Sequence, residues 1–273
     1  MKKLFILALA AIVTVFMTGC PKAQKAANRL EAIKAAGKIV VYTNPEFPPY
    51  EYLGPNQEIV GSEIDIVKRI AAEIGVKAEI VSAEFDSIIG TVTTGKADLG
   101  ASGFTINDER KKMVDFSDPF VRSVQYLIIA ETSPVKTIED LAGKKIGGQN
   151  GTTGFMMVED AVNKGILKDT GTSVLSYNNA PDAMVSMAAG QLDAVVIDEL
   201  VAISLARKNA GFKAIPMVKQ DGNGLDEPEE FGMIVAKGEK ELLAVVNKVI
   251  AEMRADGSLE ESTLKHNDLA AGL

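Results

Sequence analysis

One unit occurs twice in this chain: a helical stretch, a glycine, two further residues, an aspartate and a strand. Phe85-Asp86-Ser87-Ile88-Ile89 leads to Gly95-Lys96-Ala97-Asp98-Leu99, and Pro181-Asp182-Ala183-Met184-Val185 leads to Gly190-Gln191-Leu192-Asp193-Ala194. A single copy fits any protein that alternates helices with strands. A second copy about 95 residues on argues for two similar structural units built on one plan. The rest of the chain follows it. Strand-like runs at 38–43, 78–81 and 98–101 alternate with helical patterns at 62–74 and 86–94. The grammar restarts with strands at 126–130, 145–147 and 193–197 and helices at 153–163 and 182–189. Alternation of this kind predicts an α/β fold with mainly parallel strands.

Within 62–74, Ile64, Val67, Ala71 and Ile74 fall on one helical face. Ser62 with Asp65 reads as a capping pair, and Gly75 as the stop. Residues 239–254 form an amphipathic helix with Leu243, Val246, Ile250 and Met253 on its apolar face; a second short helix follows Asp256-Gly257.

The N-terminus has the layout of an export signal. Lys2 and Lys3 precede an uncharged apolar run at 4–17, too short to span a bilayer, and small residues close it. Residues 1–19 are read as a signal peptide; the other reading is an uncleaved anchor. Cys20 is the only cysteine, so no intrachain disulfide forms. Met17-Thr18-Gly19-Cys20 resembles the bacterial lipobox, which implies lipidation at Cys20 and a membrane anchor through it; the alternative is a chance cysteine after an ordinary signal. Residues 20–37, rich in Lys, Ala and Gln, are the tether. The formal charge of −8 becomes −10 once Lys2 and Lys3 leave with the signal. An acidic domain argues against nucleic acid as a partner.

Catalytic constellations are missing from the sequence. It has no phosphate-binding loop and no nucleophile elbow, and its one histidine, His266, stands close to the C-terminus. No catalytic residue, metal site or cofactor is therefore expected. Two loops could bind an anion. Gly147-Gly148-Gln149-Asn150-Gly151-Thr152-Thr153-Gly154 joins a strand to a helix N-terminus, whose free N–H groups suit a carboxylate; without that role it is a plain turn. Ser102-Gly103-Phe104-Thr105-Ile106-Asn107-Asp108-Glu109-Arg110 brings a guanidinium able to grip a carboxylate bidentately, or else a surface arginine in a solvated basic run.

Four ordered blocks together resemble the type II periplasmic binding proteins of amino-acid ABC importers, over nearly all of residues 38–262. They are Phe47-Pro48-Pro49-Tyr50-Glu51-Tyr52; Gly61-Ser62-Glu63-Ile64-Asp65-Ile66; Gly103-Phe104-Thr105-Ile106 through Arg110 to Val114-Asp115-Phe116-Ser117-Asp118-Pro119-Phe120; and Asp140-Leu141-Ala142-Gly143-Lys144-Lys145-Ile146-Gly147 through Gly151-Thr152-Thr153-Gly154. The resemblance implies two Rossmann-like lobes joined by a two-strand hinge. Lobe 1 would be 38–119 plus 232–273, lobe 2 125–226, and the crossings 120–124 and 227–231. The ligand would lie in the cleft, buried by hinge closure.

Residue by residue, the resemblance assigns Arg110 to the ligand α-carboxylate, with Thr105 and the Gly103 carbonyl holding carboxylate and ammonium from lobe 1. Thr152 and Thr153 would add donors from lobe 2, and Asp198 would pair with the α-ammonium. Phe47 and Phe85 would sandwich the side chain, with Phe104 beside them, and Asn44 and Gln149 would face its end. Asn44 stands where the family often has Asp, so a neutral or polar side chain is expected over a cationic one, unless Glu46 or Glu84 points inward. The implied protein is a non-enzymatic monomer that delivers an amino acid to an ABC permease. Two other readings stay open: an enzyme resembling cyclohexadienyl dehydratases on the same fold, with Glu46 or Glu84 as acid or base, and a ligand-loaded partner of a membrane sensor.

Overall fold

The computed structural model describes residues 28–225 and 227–272, so the export signal, Cys20 and the first part of the tether lie outside the described residues. The chain starts with α1 (Arg29–Ala36) and β1 (Lys38–Thr43), then a small meander of β2 (Glu46–Phe47), β3 (Glu51–Leu53) and β4 (Ile59–Val60). It continues through α2 (Ser62–Ile74), β5 (Lys77–Ser82), α3 (Phe85–Thr93), β6 (Leu99–Gly100), the single turn α4 (Asp108–Lys111) and β7 (Val114–Phe116). It leaves by β8 (Val121–Ser123). A second set follows: β9 (Gln125–Ala130), a 3-10 turn at Ile138–Leu141, β10 (Lys145–Gln149), α5 (Thr153–Asn163), β11 (Ser173–Tyr177), α6 (Ala180–Ala188), β12 (Ala194–Asp198), α7 (Glu199–Lys208) and β13 (Phe212–Pro216). Finally β14 (Glu229–Phe231) returns the chain to β15 (Ile234–Ala236) and the closing helices α8 (Lys240–Ala255) and α9 (Ser258–Ala271).

Two five-stranded sheets result, in the orders β5-β1-β6-β15-β7 and β11-β10-β12-β9-β13. In each, four strands run parallel and one antiparallel strand sits in fourth place, β15 in the first sheet and β9 in the second. These are the strands that directly follow a crossing between lobes. The crossings, β8 and β14, pair with each other, Val121 opposite Phe231 and Ser123 opposite Glu229. The chain is thus a two-lobed α/β protein with a two-strand hinge, and its mainly parallel character is as the alternation implies.

The duplicated unit has a structural meaning. It is α3–β6 in one lobe and α6–β12 in the other. Gly95 and Gly190 both adopt left-handed backbone, at φ 72° and 73°, a region that glycine enters without steric cost. The two aspartates fasten a neighbouring strand. Asp98 Oδ2 accepts the N–H of Val40 in β1 at 2.6 Å, and Asp193 Oδ2 accepts the N–H of Lys145 in β10 at 2.8 Å. The strands between are covered on both faces; every residue of β12 is buried, as a central parallel strand requires.

Two local expectations are corrected. Ser62 does not cap α2: it is the first helical residue, and Gly61 holds the cap position. A Cβ on Gly61 would stand 1.9 Å from the Tyr50 carbonyl oxygen, so the chain turns there only as glycine. Asp65 serves α9 instead, accepting from Ser262 Oγ at 2.9 Å and lying 3.0 Å from His266 Nε2, while His266 Nδ1 is 2.9 Å from the Tyr52 hydroxyl. In α8 the buried face is Leu242, Val246, Val249, Ile250 and Met253; Leu243 is only partly covered. The expected stripe was rotated by one residue at its first position because α8 packs on both α2 and α9. Among the described residues, no helix is long and apolar enough to cross a membrane.

Candidate functional site

Parallel strands expose their carboxyl ends, and loops leaving those ends build the site. Asn44 follows β1, Ser102 to Thr105 follow β6, Gln149 ends β10 and Asp198 ends β12. The sheets of the two lobes turn these ends toward each other. A narrow cavity between them is lined by Asn44, Phe47, Phe85, Ser102, Gly103, Thr105, Arg110, Gln149, Thr152, Thr153 and Asp198. Ten of the eleven residues expected from the sequence meet here. The exception is Phe104, which is buried beneath Phe85, rings stacked with centroids 4.8 Å apart at 19°. The backbone around it pairs with the returning hinge strand: Gly232 N–H bonds to Phe104 O at 3.0 Å and Ile106 N–H to Glu230 O at 2.8 Å. That pairing points Phe104 away from the cleft and Thr105 toward it.

The cavity admits a water centre over only about 10 Å³, the space of a single water. The lobes are therefore closed on each other, and direct bonds span them. Gln149 Nε2 donates to Asn44 Oδ1 at 3.1 Å, Asn150 Nδ2 to Asp86 Oδ2 at 2.7 Å, and the hydroxyls of Thr105 and Thr153 lie 3.2 Å apart. A groove of about 720 Å³ opens beside it, sharing Thr105 and Thr153. Size favours the groove, but the convergent buried polar groups belong to the small cavity, and recognition depends on those.

Arg110 is buried, with its backbone N–H capped by Asn107 Oδ1. Its Nη1 donates to the Thr105 carbonyl and its Nη2 to the Gly151 carbonyl of the other lobe, each at 2.9 Å. The guanidinium lies 5.5 Å from the ring centres of both Phe85 and Phe104. Burial pushes its pKa down to about 10, against the pull of Glu229 and Asp198, so it stays charged at neutral pH. Neither of its side-chain bonds ends on a carboxylate.

Opposite charge stands nearby. Asp198 is 4% exposed and accepts from Gln125 Nε2 at 3.0 Å; the same nitrogen donates to Glu229 Oε2 at 2.7 Å. Burial, reinforced by Glu229, pushes the Asp198 carboxyl well above the usual carboxylate range. Thr152 caps α5: its Oγ1 accepts the Phe155 N–H at 3.3 Å and donates to Gln149 O at 2.8 Å, which aims the start of an eleven-residue helix at the cleft.

Sequence reasoning missed several supports. Ser102 Oγ accepts the Asn44 N–H at 3.0 Å, and Glu63 Oε2 accepts the Gly103 N–H at 2.8 Å. Glu63 stood inside a quoted block, but its partner lies 40 residues on. Gln125 and Glu229 belong to separate elements with no shared motif. Glu46 and Glu84 do not line the cavity. Burial raises Glu46, beside Asp182 and Glu84. Among the described residues, no group of three or more His, Cys, Asp or Glu is arranged to hold a metal ion.

Comparison with known proteins agrees with the two-lobed fold. Residues 39–268 match the profile of bacterial extracellular solute-binding proteins, family 3. The chain is 29% identical over 233 residues to the L-cystine-binding protein TcyJ of Escherichia coli K12, covering 85% of this chain and 83% of that one. Among solved structures, it resembles an amino acid ABC transporter substrate-binding protein from Streptococcus pneumoniae bound to L-arginine, at TM-score 0.81 and 31% identity, over 88% of this chain and 99% of that one. It also resembles an ancestral arginine-binding protein bound to glutamine, at TM-score 0.73 and 35% identity, over 84% and 97% of the two chains.

Proposed function

The chain belongs to family 3 of the bacterial extracellular solute-binding proteins, and from that premise we propose that it captures an α-amino acid between its lobes, with Arg110 on the carboxylate and Asp198 on the ammonium. One observation carries the reading: a buried guanidinium and a buried carboxyl line the same cavity, and neither has a counter-ion in direct contact among the described residues. Leaving a desolvated charge unpaired is costly, and a zwitterion supplies both missing partners at once. Gly103, Thr105, Thr152 and Thr153 add donors and acceptors at its ends.

Capture requires the lobes to part, since the closed cavity has no room for an amino acid. The β8–β14 ladder is the joint about which they do so, within the proposed divisions 38–119 with 232–273, 125–226, and crossings at 120–124 and 227–231. Asn44 and Gln149, bonded to each other across the cleft, favour a neutral, polar side chain, with Phe47 and Phe85 as its apolar walls. The protein acts outside the cytoplasm as a binding component of an ABC importer, a monomer held by a lipid on Cys20, without catalysis. A thermal-shift screen against L-amino acids and L-cystine tests the reading, because a ligand of the folded state raises the melting temperature. No shift with any of them would count against it.

A further inference from the structure

The reading above gives Asp198 a role and leaves Glu229 without one. Asp198 ends β12 in one lobe, and Glu229 opens β14, the returning hinge strand. Gln125, the first residue of β9, donates through its one amide nitrogen to both, at 3.0 Å and 2.7 Å. All three side chains are more than nine-tenths buried, at 4%, 7% and 7% exposure for Asp198, Glu229 and Gln125. The bridge is a neutral amide, so it ties the two carboxyls together without neutralising them.

The charged surroundings do not neutralise them either. Arg110 in α4 attracts both carboxyls from a distance, but its side-chain bonds end on the carbonyls of Thr105 and Gly151. Tyr50 and Ser123 neighbour Asp198, the Ser123 hydroxyl donating to the Val124 carbonyl, and Glu199, next in the chain, accepts from the Tyr126 hydroxyl. Along the groove beside Glu229 stand Lys111, Arg122, Glu227 and Glu230, and Arg122 is paired with Glu230 at 3.0 Å. Two buried carboxyls bridged by one amide nitrogen, with no cation bonded to either, make a second negative charge there costly. The upward displacement of Asp198 by burial and by Glu229 agrees.

Resting on the amino-acid reading, we infer that Glu229 is a positioning residue for Asp198: the pair holds one proton in the closed cleft, and the ligand ammonium displaces it, so that capture of the zwitterion is coupled to release of one proton. Before capture the pair carries one proton and a single negative charge. The ammonium then supplies the positive charge that lets both carboxyls ionise. The shared proton leaves to solvent, and no bond of the ligand is made or broken. Proton and ammonium thus compete for one place. Affinity rises with pH, by up to about tenfold per unit below the apparent pKa of the pair.

The test is isothermal titration calorimetry at pH 7 on the mature protein, with L-glutamine, L-cystine and L-arginine as titrants, in buffers of differing ionisation enthalpy. The slope of observed enthalpy against buffer ionisation enthalpy counts the protons exchanged. The wild type should release close to one proton per binding event with whichever titrant binds; Glu229→Asp should keep the release, and Glu229→Gln should bring it near zero. The wild-type affinity measured from pH 5.5 to 8 carries the same prediction and needs no variant to fold. Binding without proton release overturns the inference and leaves the amino-acid reading standing. Full release retained in Glu229→Gln overturns the assignment to Glu229. Failure of every L-amino acid in the thermal-shift screen to bind overturns both.

Discussion

Arg110 reaches across the cleft and donates from Nη2 to the carbonyl oxygen of Gly151 at 2.9 Å. With its other bond to Thr105, one cation ties the two lobes together through carbonyls, which accept its protons but return no charge. A carboxylate entering the cleft offers the guanidinium both. Arg110→Ala should therefore raise the Kd of the bound amino acid by roughly two to three orders of magnitude, the effect of about 2–5 kcal/mol for truncating one partner of a buried charge pair. Arg110→Lys should recover only a fraction, because an ammonium lacks the planar fork. Calorimetry measures both, and circular dichroism checks that the fold survives.

Side-chain selection should sit at Asn44 and Gln149. Their bond closes the far end of the cavity with two neutral amides. Asn44→Asp places a charge there and should shift preference toward L-arginine and L-lysine by about tenfold, an energy near 1.4 kcal/mol. A competition assay between L-glutamine and L-arginine reads the change directly.

Gly103 should tolerate no side chain. Its φ is 59°, and an added Cβ would lie 2.6 Å from Phe47 Cε1, in the wall of the cavity. Gly103→Ala should cost about 1–2 kcal/mol from the left-handed backbone alone. It should also weaken binding by displacing Phe47, seen as a smaller ligand-induced rise in melting temperature.

Behind Gly103, Glu51 and Glu63 are fully buried, and burial pushes Glu63 from 4.5 to about 7 and Glu51 well above its ordinary value. Both carboxyls bind protons more tightly folded than unfolded. The stability they contribute is complete below about pH 4.5 and drains away as pH climbs to about 7 for Glu63, and higher for Glu51. Glu51→Gln should remove most of that loss: its melting temperature relative to wild type should increase by a few degrees between pH 5 and pH 8 in a differential scanning series.

The opposite sign applies on the other side of lobe 1. Burial works against the charge of Asp65, yet the bonds from His266 and Ser262 bring its pKa from 3.8 down to about 2. Its stabilisation is present above pH 3.8 and is lost as pH falls toward 2. His266→Ala should destabilise the protein by about 1–3 kcal/mol. It should also flatten the acid limb of a urea-unfolding series between pH 4 and pH 2.

Local grammar explains what could be read from the chain. Asp98 and Asp193 recur at the same place in a repeated unit, and that repeat is visible within a few residues, although the strands they fasten lie 58 and 48 residues away. The loops at strand ends were legible for the same reason: glycines, hydroxyls and Arg110 lie close in sequence. Long-range dependence was not legible. Gln125 meets Glu229 across 104 residues, and only because two hinge strands cross side by side. Phe104 turns away from the cleft because Gly232 donates to its own carbonyl and Glu230 accepts from Ile106, a contact that no pattern around Phe104 announces. The β2–β4 meander has strands of two or three residues, too short to show alternation.

The central claim is that the cleft reads both ends of an α-amino acid. The most direct measurement compares, by calorimetry, the L-amino acid that gives the largest thermal shift with its α-carboxamide and its Nα-acetyl derivative. The intact zwitterion should bind, while each derivative loses at least two orders of magnitude in affinity, the carboxamide because Arg110 is left unpaired and the acetylated form because Asp198 is. Equal binding of either derivative would contradict the assignment of that end, and equal binding of both would contradict the account as a whole.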